Sequence, residues 1–274
     1  AGGLTDAQRE ESRDGGAIKR NFLDFDGDFH ARVSDESTQI YVGNLQAATF
    51  ADLLELDASL KLQALMGREE HQEYLYDHNL DKLELIGNLV DWTDADDTRL
   101  YEGGYEESIY QRLDDPYRPK NAPFDTPDEI RLVEGWHLDG VWERFGKFLT
   151  IYGDGKINVN DAKRPVMFAM LKAYMEGFPS DAYVDQILEV LMQKRGAALA
   201  AGGVHFSSGQ HFKNFCETEL GITLKPEVVN AVATEAHVFR VYSEGQVGDA
   251  KSEVLVIYDF SQQAAGKIVH WRVR

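Results

Sequence analysis

The sequence predicts an α+β fold: a helical middle flanked by strand-containing ends, with the cleanest antiparallel sheet at the C-terminus. Two observations predict it. From residue 235 onward, EAHVFRVYS, KSEVLVIYDF and GKIVHWRVR alternate as β-rich runs, and the intervening EGQVGDA and SQQAAG are short enough to join neighbours of an antiparallel meander. Before them, apolar residues recur at helical spacing between N-cap and glycine signals. The boundaries fall at 1–38 for the lead-in and first strands, 39–230 for the helical middle, and 231–274 for the closing strands.

The elements follow in order. The first twenty residues are polar and read as a frayed or short helical lead-in. Residues 21–33 alternate around Asp26-Gly27, a hairpin-turn signal. QIYV at 39–42 is a short strand. Thr49 and Asp52 frame a helix with Leu53, Leu56 and Leu60 on one face, stopped at Gly67. A second helix runs from about Leu80 to Trp92. Thr126, Pro127 and Glu129 make a capping-box start for a third helix, ended by Gly135. LTIYGDGKINVN at 149–160 reads as a strand, followed by helices over 165–176 and 181–195, the latter with Ser180 as cap and Gly196 as stop. A last helix runs from Ser207-Ser208 to about Gly221.

Composition removes several function classes. The chain has 274 residues, 43% of them hydrophobic, so a substantial core can form. Its formal charge of −19 opposes nucleic acid and anionic membrane surfaces and favours cations or basic partners. The lone cysteine, Cys216, excludes an intrachain disulfide. No run reaches the roughly 20 apolar residues that span a bilayer, and AGGLTDAQREESRDGG is neither signal peptide nor anchor.

The helical middle is written twice. QIYVGN at 39–44 lines up with KINVND at 156–161, and each is followed by a helix ending in Met and Gly, ALMG and YMEG. Phe124 and Phe206 open corresponding segments later in each half. The first half alone carries an acidic insert, roughly 91–123.

Between Asp91 and Glu107 that insert holds seven acidic side chains and one basic one, Arg99. Three readings stand: a solvated acidic loop, a catalytic carboxylate pair, or a cation site. For a cation, Asp94, Asp96 and Asp97 would converge with Glu106 and Glu107 after a fold-back at Gly103-Gly104, and the Asn121 amide oxygen would join them. An EF-hand does not fit: counted from Asp94, the sixth place holds Arg99 and the twelfth Tyr105. Asp24–Asp28 has its glycine in the fourth place and reads as a turn. No His/Cys cluster has zinc spacing. Cys216 near His205 and His211 suggests a thiol nucleophile, but Phe212 and Phe215 on the same helix favour core packing. MEGFPSDAY resembles a helix-hairpin-helix turn, yet its acidic neighbours occupy the place of phosphate.

Taken in order, IGNLVDWTDADD (86–97), YEESIYQRLDDPYRPKNAPFDTPDEIRLVEG (105–135), LTIYGDGKINVNDA (149–162) and a closing VHWRVR resemble the minor pseudopilin K family of the type II secretion system. The resemblance implies a pilin-like antiparallel sheet with an inserted helical domain of two repeated SAM-like units. It implies a non-enzymatic, periplasmic role at the pseudopilus tip with minor pseudopilins I and J, and contact with secreted substrates or the outer-membrane secretin. It also implies an inner-membrane N-terminal helix, which this sequence lacks. In the acidic insert it implies calcium, with Asp94, Asp96, Asp97, Glu106, Glu107 and Asn121 as the ligand set. The alternatives are a calcium-dependent extracytoplasmic binding or adhesion module and a type IV pilus-associated minor pilin.

Overall fold

The computed structural model describes residues 18–21, 27–198 and 201–274. They fall into two compact units: one holds the chain up to Glu36 and from Ala236 onward, and the other holds Ser37–Glu235.

The first unit is one sheet. Strands β1 (Ile18–Asn21) and β2 (Gly27–Asp35) are joined through the long intervening chain to β3 (Val238–Val247), β4 (Ala250–Asp259) and β5 (Lys267–Val273). The spatial order is β1-β2-β3-β4-β5, antiparallel throughout. The three closing runs thus form the expected meander. Ile18–Arg20, expected in a lead-in, are instead held in β1 by main-chain pairing with β2 across the turn, which local polarity does not reveal. Asp24 and Asp26 lie outside the described residues; the strands on either side of that turn signal pair antiparallel.

Period-two alternation sorts the sheet's side chains. Val33, Val241, Val256 and Trp271 stand in one row across four strands. On the other face Arg240 grips Glu36, at 2.6 Å through Nε and 3.2 Å through Nη2. Glu36 is 1% exposed, so the pair satisfies a charge that burial would otherwise penalise.

The second unit is helical. α1 (Phe50–Glu55), α2 (Asp57–Met66), α3 (Glu69–Asp77) and α4 (Lys82–Thr93) lead to the acidic insert. A one-turn α5 (Glu107–Tyr110) and α6 (Asp139–Phe145) complete the first half. α7 (Arg164–Tyr174), α8 (Asp181–Gly196), α9 (Gly209–Glu219) and a one-turn α10 (Val228–Ala231) make the second.

Side-chain caps set several starts. Thr49 accepts from the Asp52 N–H, Asp81 from Leu83 and Glu84, Ser180 from Tyr183 and Ser208 from His211. The helix expected across 49–67 is broken: Leu56 is extended at ψ 130, which turns α2 onto α7. Thr126 makes no side-chain cap. Pro127–Leu132 is a 3₁₀ turn, because the Glu129 carboxylate accepts from the Asp125 N–H and the Trp92 indole instead of closing a box. α3 and α6 carried signals too short to be read from periodicity.

The run 149–160 is not one strand. Leu149-Thr150 pairs in parallel with Ile40-Tyr41, and Ile157-Asn158 pairs in parallel with Val232-Ala233. Gly153 and Gly155 turn the chain between them at φ +108 and +84. The repeat is therefore expressed in hydrogen bonds. In the first half Val42 N–H reaches Thr150 O at 2.8 Å, and in the second Val159 N–H reaches Ala233 O at 3.1 Å. Phe124 N–H binds the Gly43 carbonyl at 3.0 Å, and Phe206 N–H binds the Asn160 side-chain oxygen at 2.9 Å. Each half closes its helices with a parallel pair between its own first and last segments.

Candidate metal centre

The acidic insert begins where α4 ends. Asp91 lies in its last turn and Asp94 is its C-terminal cap residue, three positions on and so on the same side of the helix. Both sit at the negative end of the helix dipole, a poor place for a carboxylate and a good one for a cation.

The chain then makes a hairpin. Thr98 and Tyr105 form an antiparallel bridge, Arg99 N–H binds the Gly104 carbonyl at 3.0 Å, and Glu106 N–H binds the Asp97 carbonyl at 3.2 Å. The tip requires three consecutive left-handed residues, Glu102, Gly103 and Gly104, and glycine supplies two of them. This fold-back returns Glu106 to the end of α4. Asp91, Asp94 and Glu106 each offer a carboxylate oxygen within 4.8 Å of the others.

All three are buried, at 3%, 4% and 1% exposure. Leu100 N–H donates to one Asp91 oxygen at 3.1 Å. Asp91 Oδ2, both Asp94 oxygens, both Glu106 oxygens and Asn121 Oδ1 are buried with no hydrogen-bond donor. On the same insert Trp92 packs edge-on to Tyr110 at 5.5 Å and stacks with Phe124 at 6.3 Å.

Burial raises every carboxyl in the cluster. Asp91 is pushed up to about 7 by desolvation, which outweighs the Leu100 hydrogen bond. Asp94 is pushed up to about 6 by desolvation and then by the Asp96 charge. Glu106 is pushed up to about 8 by desolvation, reinforced by Asp91 and Asp94. Arg99, the only base in the stretch, pairs with Glu84 at 3.1 Å and lowers Asp91 by less than burial raises it.

The expected ligand residues are placed as follows. Asp94 and Glu106 meet in the cluster. Asp96 is exposed, and its carboxylate accepts from the Thr98 N–H at 2.7 Å. Asp97 is exposed and accepts from Asn121 Nδ2 at 3.1 Å. Glu107 turns to Arg118 at 3.0 Å. Asn121 also donates to the Asp96 carbonyl at 2.6 Å, which leaves its oxygen free of donors. Asp91 was not among the expected ligands. Its i, i+3 spacing to Asp94 at a helix end was the signal that would have found it.

The donor set fits a hard cation. It is all oxygen, anionic and short of positive charge, and calcium takes about six to eight oxygens. Among the described residues it is the one group of three potential metal ligands. A cleft of about 740 Å³ lined by Gln46, Asp52, Glu55, Asp94 and Asp96 borders the cluster on the Asp94 side. Cys216 is fully buried, with its thiol pushed up to about 12, which is the environment of a packing residue and not of a nucleophile.

Residues 45–154 match the family model described as type II secretion system (T2SS), protein K. A relative described as type II secretion system protein K, from Pseudomonas aeruginosa, is 28% identical over 236 residues. The match covers 85% of this chain, and the chain spans 61% of that relative's length. The fold is similar to a chain in the crystal structure of the GspK-GspI-GspJ complex of the type 2 secretion system of enterotoxigenic Escherichia coli, at TM-score 0.68 and 14% identity. That likeness covers 94% of this chain and 83% of the other. The resemblance to the protein K family read from the sequence is borne out.

Proposed function

We propose that this chain is the periplasmic part of a minor pseudopilin of the protein K kind, a non-enzymatic subunit at the pseudopilus tip that acts in protein export. The observation that carries the reading is the protein K relative's match across 85% of this chain. The partners are minor pseudopilins I and J, as in the complex that names them for the structural relative. Inner-membrane anchoring by an N-terminal helix is part of the same proposal; no helix among the described residues is long and apolar enough to cross a membrane. A bulky helical unit of 199 residues, Ser37–Glu235, would obstruct addition of a further subunit beyond it, which suits a terminal position. Labelling full-length protein in assembled filaments tests this: signal at one end supports the tip role, and signal along the shaft overturns it.

Calcium is part of the proposal. Asp91, Asp94 and Glu106 would hold the ion, with the Asn121 oxygen and main-chain or side-chain oxygens of the Asp96-Asp97 turn completing the shell. The ion would cancel the repulsion of three buried carboxylates and so order the insert; its role is structural. Calorimetric titration of the chelator-treated protein tests it, and absence of a saturable calcium heat would refute the site.

A further inference from the structure

We propose that the cleft beside α1 is a docking site for an arginine side chain presented by an exposed segment of a different protein. The proposal goes beyond the protein K reading, and its test can fail without touching that reading or the calcium site.

The cleft, of about 740 Å³, is lined by the chain entering α1, by α1 itself and by the turn that leaves α4. Pockets that hold small ligands enclose ~300–1,000 Å³, so this one has room for a long side chain and its neighbours. Four of its lining residues are acids: Asp52 and Glu55 from α1, and Asp94 and Asp96 from the turn. None is basic. The nearest bases in sequence are committed elsewhere, Lys61 to Asp57 and Arg99 to Glu84.

The hydrogen bonds inside the chain leave these carboxylates short of donors. Asp52 accepts from the Thr49 hydroxyl at 2.7 Å through one oxygen, and Asp96 accepts from the Thr98 N–H at 2.7 Å through one. The second oxygen of each, and both of Glu55, have no donor among the described residues. Asp94 is 4% exposed and neither of its oxygens is reached by a donor. Folding thus gathers negative charge on one cleft without neutralising it, an arrangement that favours a cationic occupant. Calcium in the neighbouring cluster would compensate Asp94 and leave Asp52 and Glu55 without a counter-charge.

The rest of the lining selects among cations. Ala48, Leu56 and Ala95 are apolar and offer a bare metal ion nothing. A long basic side chain uses both kinds of surface, laying its methylenes on the apolar part while its head reaches the carboxylates. Arginine suits the site better than lysine. Its guanidinium is more weakly hydrated and carries donors in a planar fork, so it can bind carboxylates on two sides at once. A second copy of this chain is the poorer partner, because two bodies of charge −19 repel.

The test titrates a capped five-residue peptide, one arginine flanked by alanines, into the full chain in saturating calcium and again in chelator. The amide resonances of Ala48, Glu55 and Ala95 are followed. Saturable shifts at all three are expected in both conditions. The citrulline peptide, similar in shape but uncharged, should bind about tenfold weaker, and the lysine peptide about threefold weaker. Glu55→Gln should weaken the arginine peptide about fivefold. Glu55→Lys, which places an ammonium in the cleft, should abolish the shifts. Glu55 is exposed, so both variants should keep the parent's calcium titration and fold. Citrulline or lysine bound as tightly as arginine, or unchanged binding in Glu55→Lys, overturns the proposal. So do shifts seen in chelator and lost in calcium, which mean that the guanidinium was filling the metal cluster instead of the cleft.

Discussion

Asp91 and Glu106, from opposite ends of one acidic hairpin, bring carboxylate oxygens within 4.8 Å of each other in a site almost closed to solvent. Each carries an oxygen that no hydrogen-bond donor reaches. Two like charges held this way store free energy that either protons or a cation can release.

Protons come first. Folding raises Asp91 to about 7, Asp94 to about 6 and Glu106 to about 8, so the folded state binds more protons than the unfolded one across this range. Their contribution to stability is full below the unfolded values near 4 and is lost as pH rises through 6 to 8. In chelator, Glu106→Gln should thus melt close to the parent at pH 5 and above it at pH 8, by up to a few kcal/mol. Thermal melts at the two pH values check this; a variant that is less stable at pH 8 refutes it.

Calcium should invert that order. Saturating ion raises the parent's melting temperature at pH 8, and ligand loss in Asp94→Ala or Glu106→Gln should abolish most of the rise. Because protons compete for the same oxygens, apparent affinity should increase between pH 6 and pH 8. Trp92, which packs on Tyr110 beside the cluster, supplies a fluorescence signal for the titration.

Asn160 is the hub of the second repeat. Its amide donates to the Phe206 and Thr234 carbonyls at 2.9 Å each, and its oxygen accepts from the Phe206 N–H at 2.9 Å. Asn160→Ala removes three bonds and leaves the main-chain groups of a fully buried Phe206 unsatisfied. Chemical denaturation should show a loss of about 2–4 kcal/mol.

In the sheet unit, Arg240→Ala removes both guanidinium hydrogen bonds to the Glu36 carboxylate, which is 1% exposed. The expected loss is about 3 kcal/mol, the scale for removing one partner of a buried pair. Replacing Glu36 and Arg240 together by apolar residues should cost less than Arg240→Ala alone.

Cys216 should be inert. With its thiol fully buried and pushed up to about 12, alkylation at pH 8 should track global unfolding. Rapid labelling of the native protein would place the thiol outside the core.

Much of this was legible locally. The alternation of VFRVYS, SEVLVIYDF and KIVHWRV reports strands because each is half-exposed in a sheet. Ser180, Ser208 and Thr49 report helix starts because capping is a bond within one turn. The break at Leu56 and the split of 149–160 were not legible, since α7 and the parallel partners that impose them lie far along the chain. The acidic cluster was half legible: acid density marks the hairpin, but density does not say which acids are buried.

The sequence by itself determined the meander, a helical middle, its duplication and the position of the acidic hairpin, because each is written in periodicity, in internal repetition or in short-range bonds. Only the tertiary structure decided that Asp91 joins Asp94 and Glu106 while Asp96, Asp97 and Glu107 face outward or pair elsewhere. Burial is the reason: what separates the three clustered carboxylates from the solvated ones is the tertiary packing around the end of α4 and the returning hairpin, which meet only when the chain is folded.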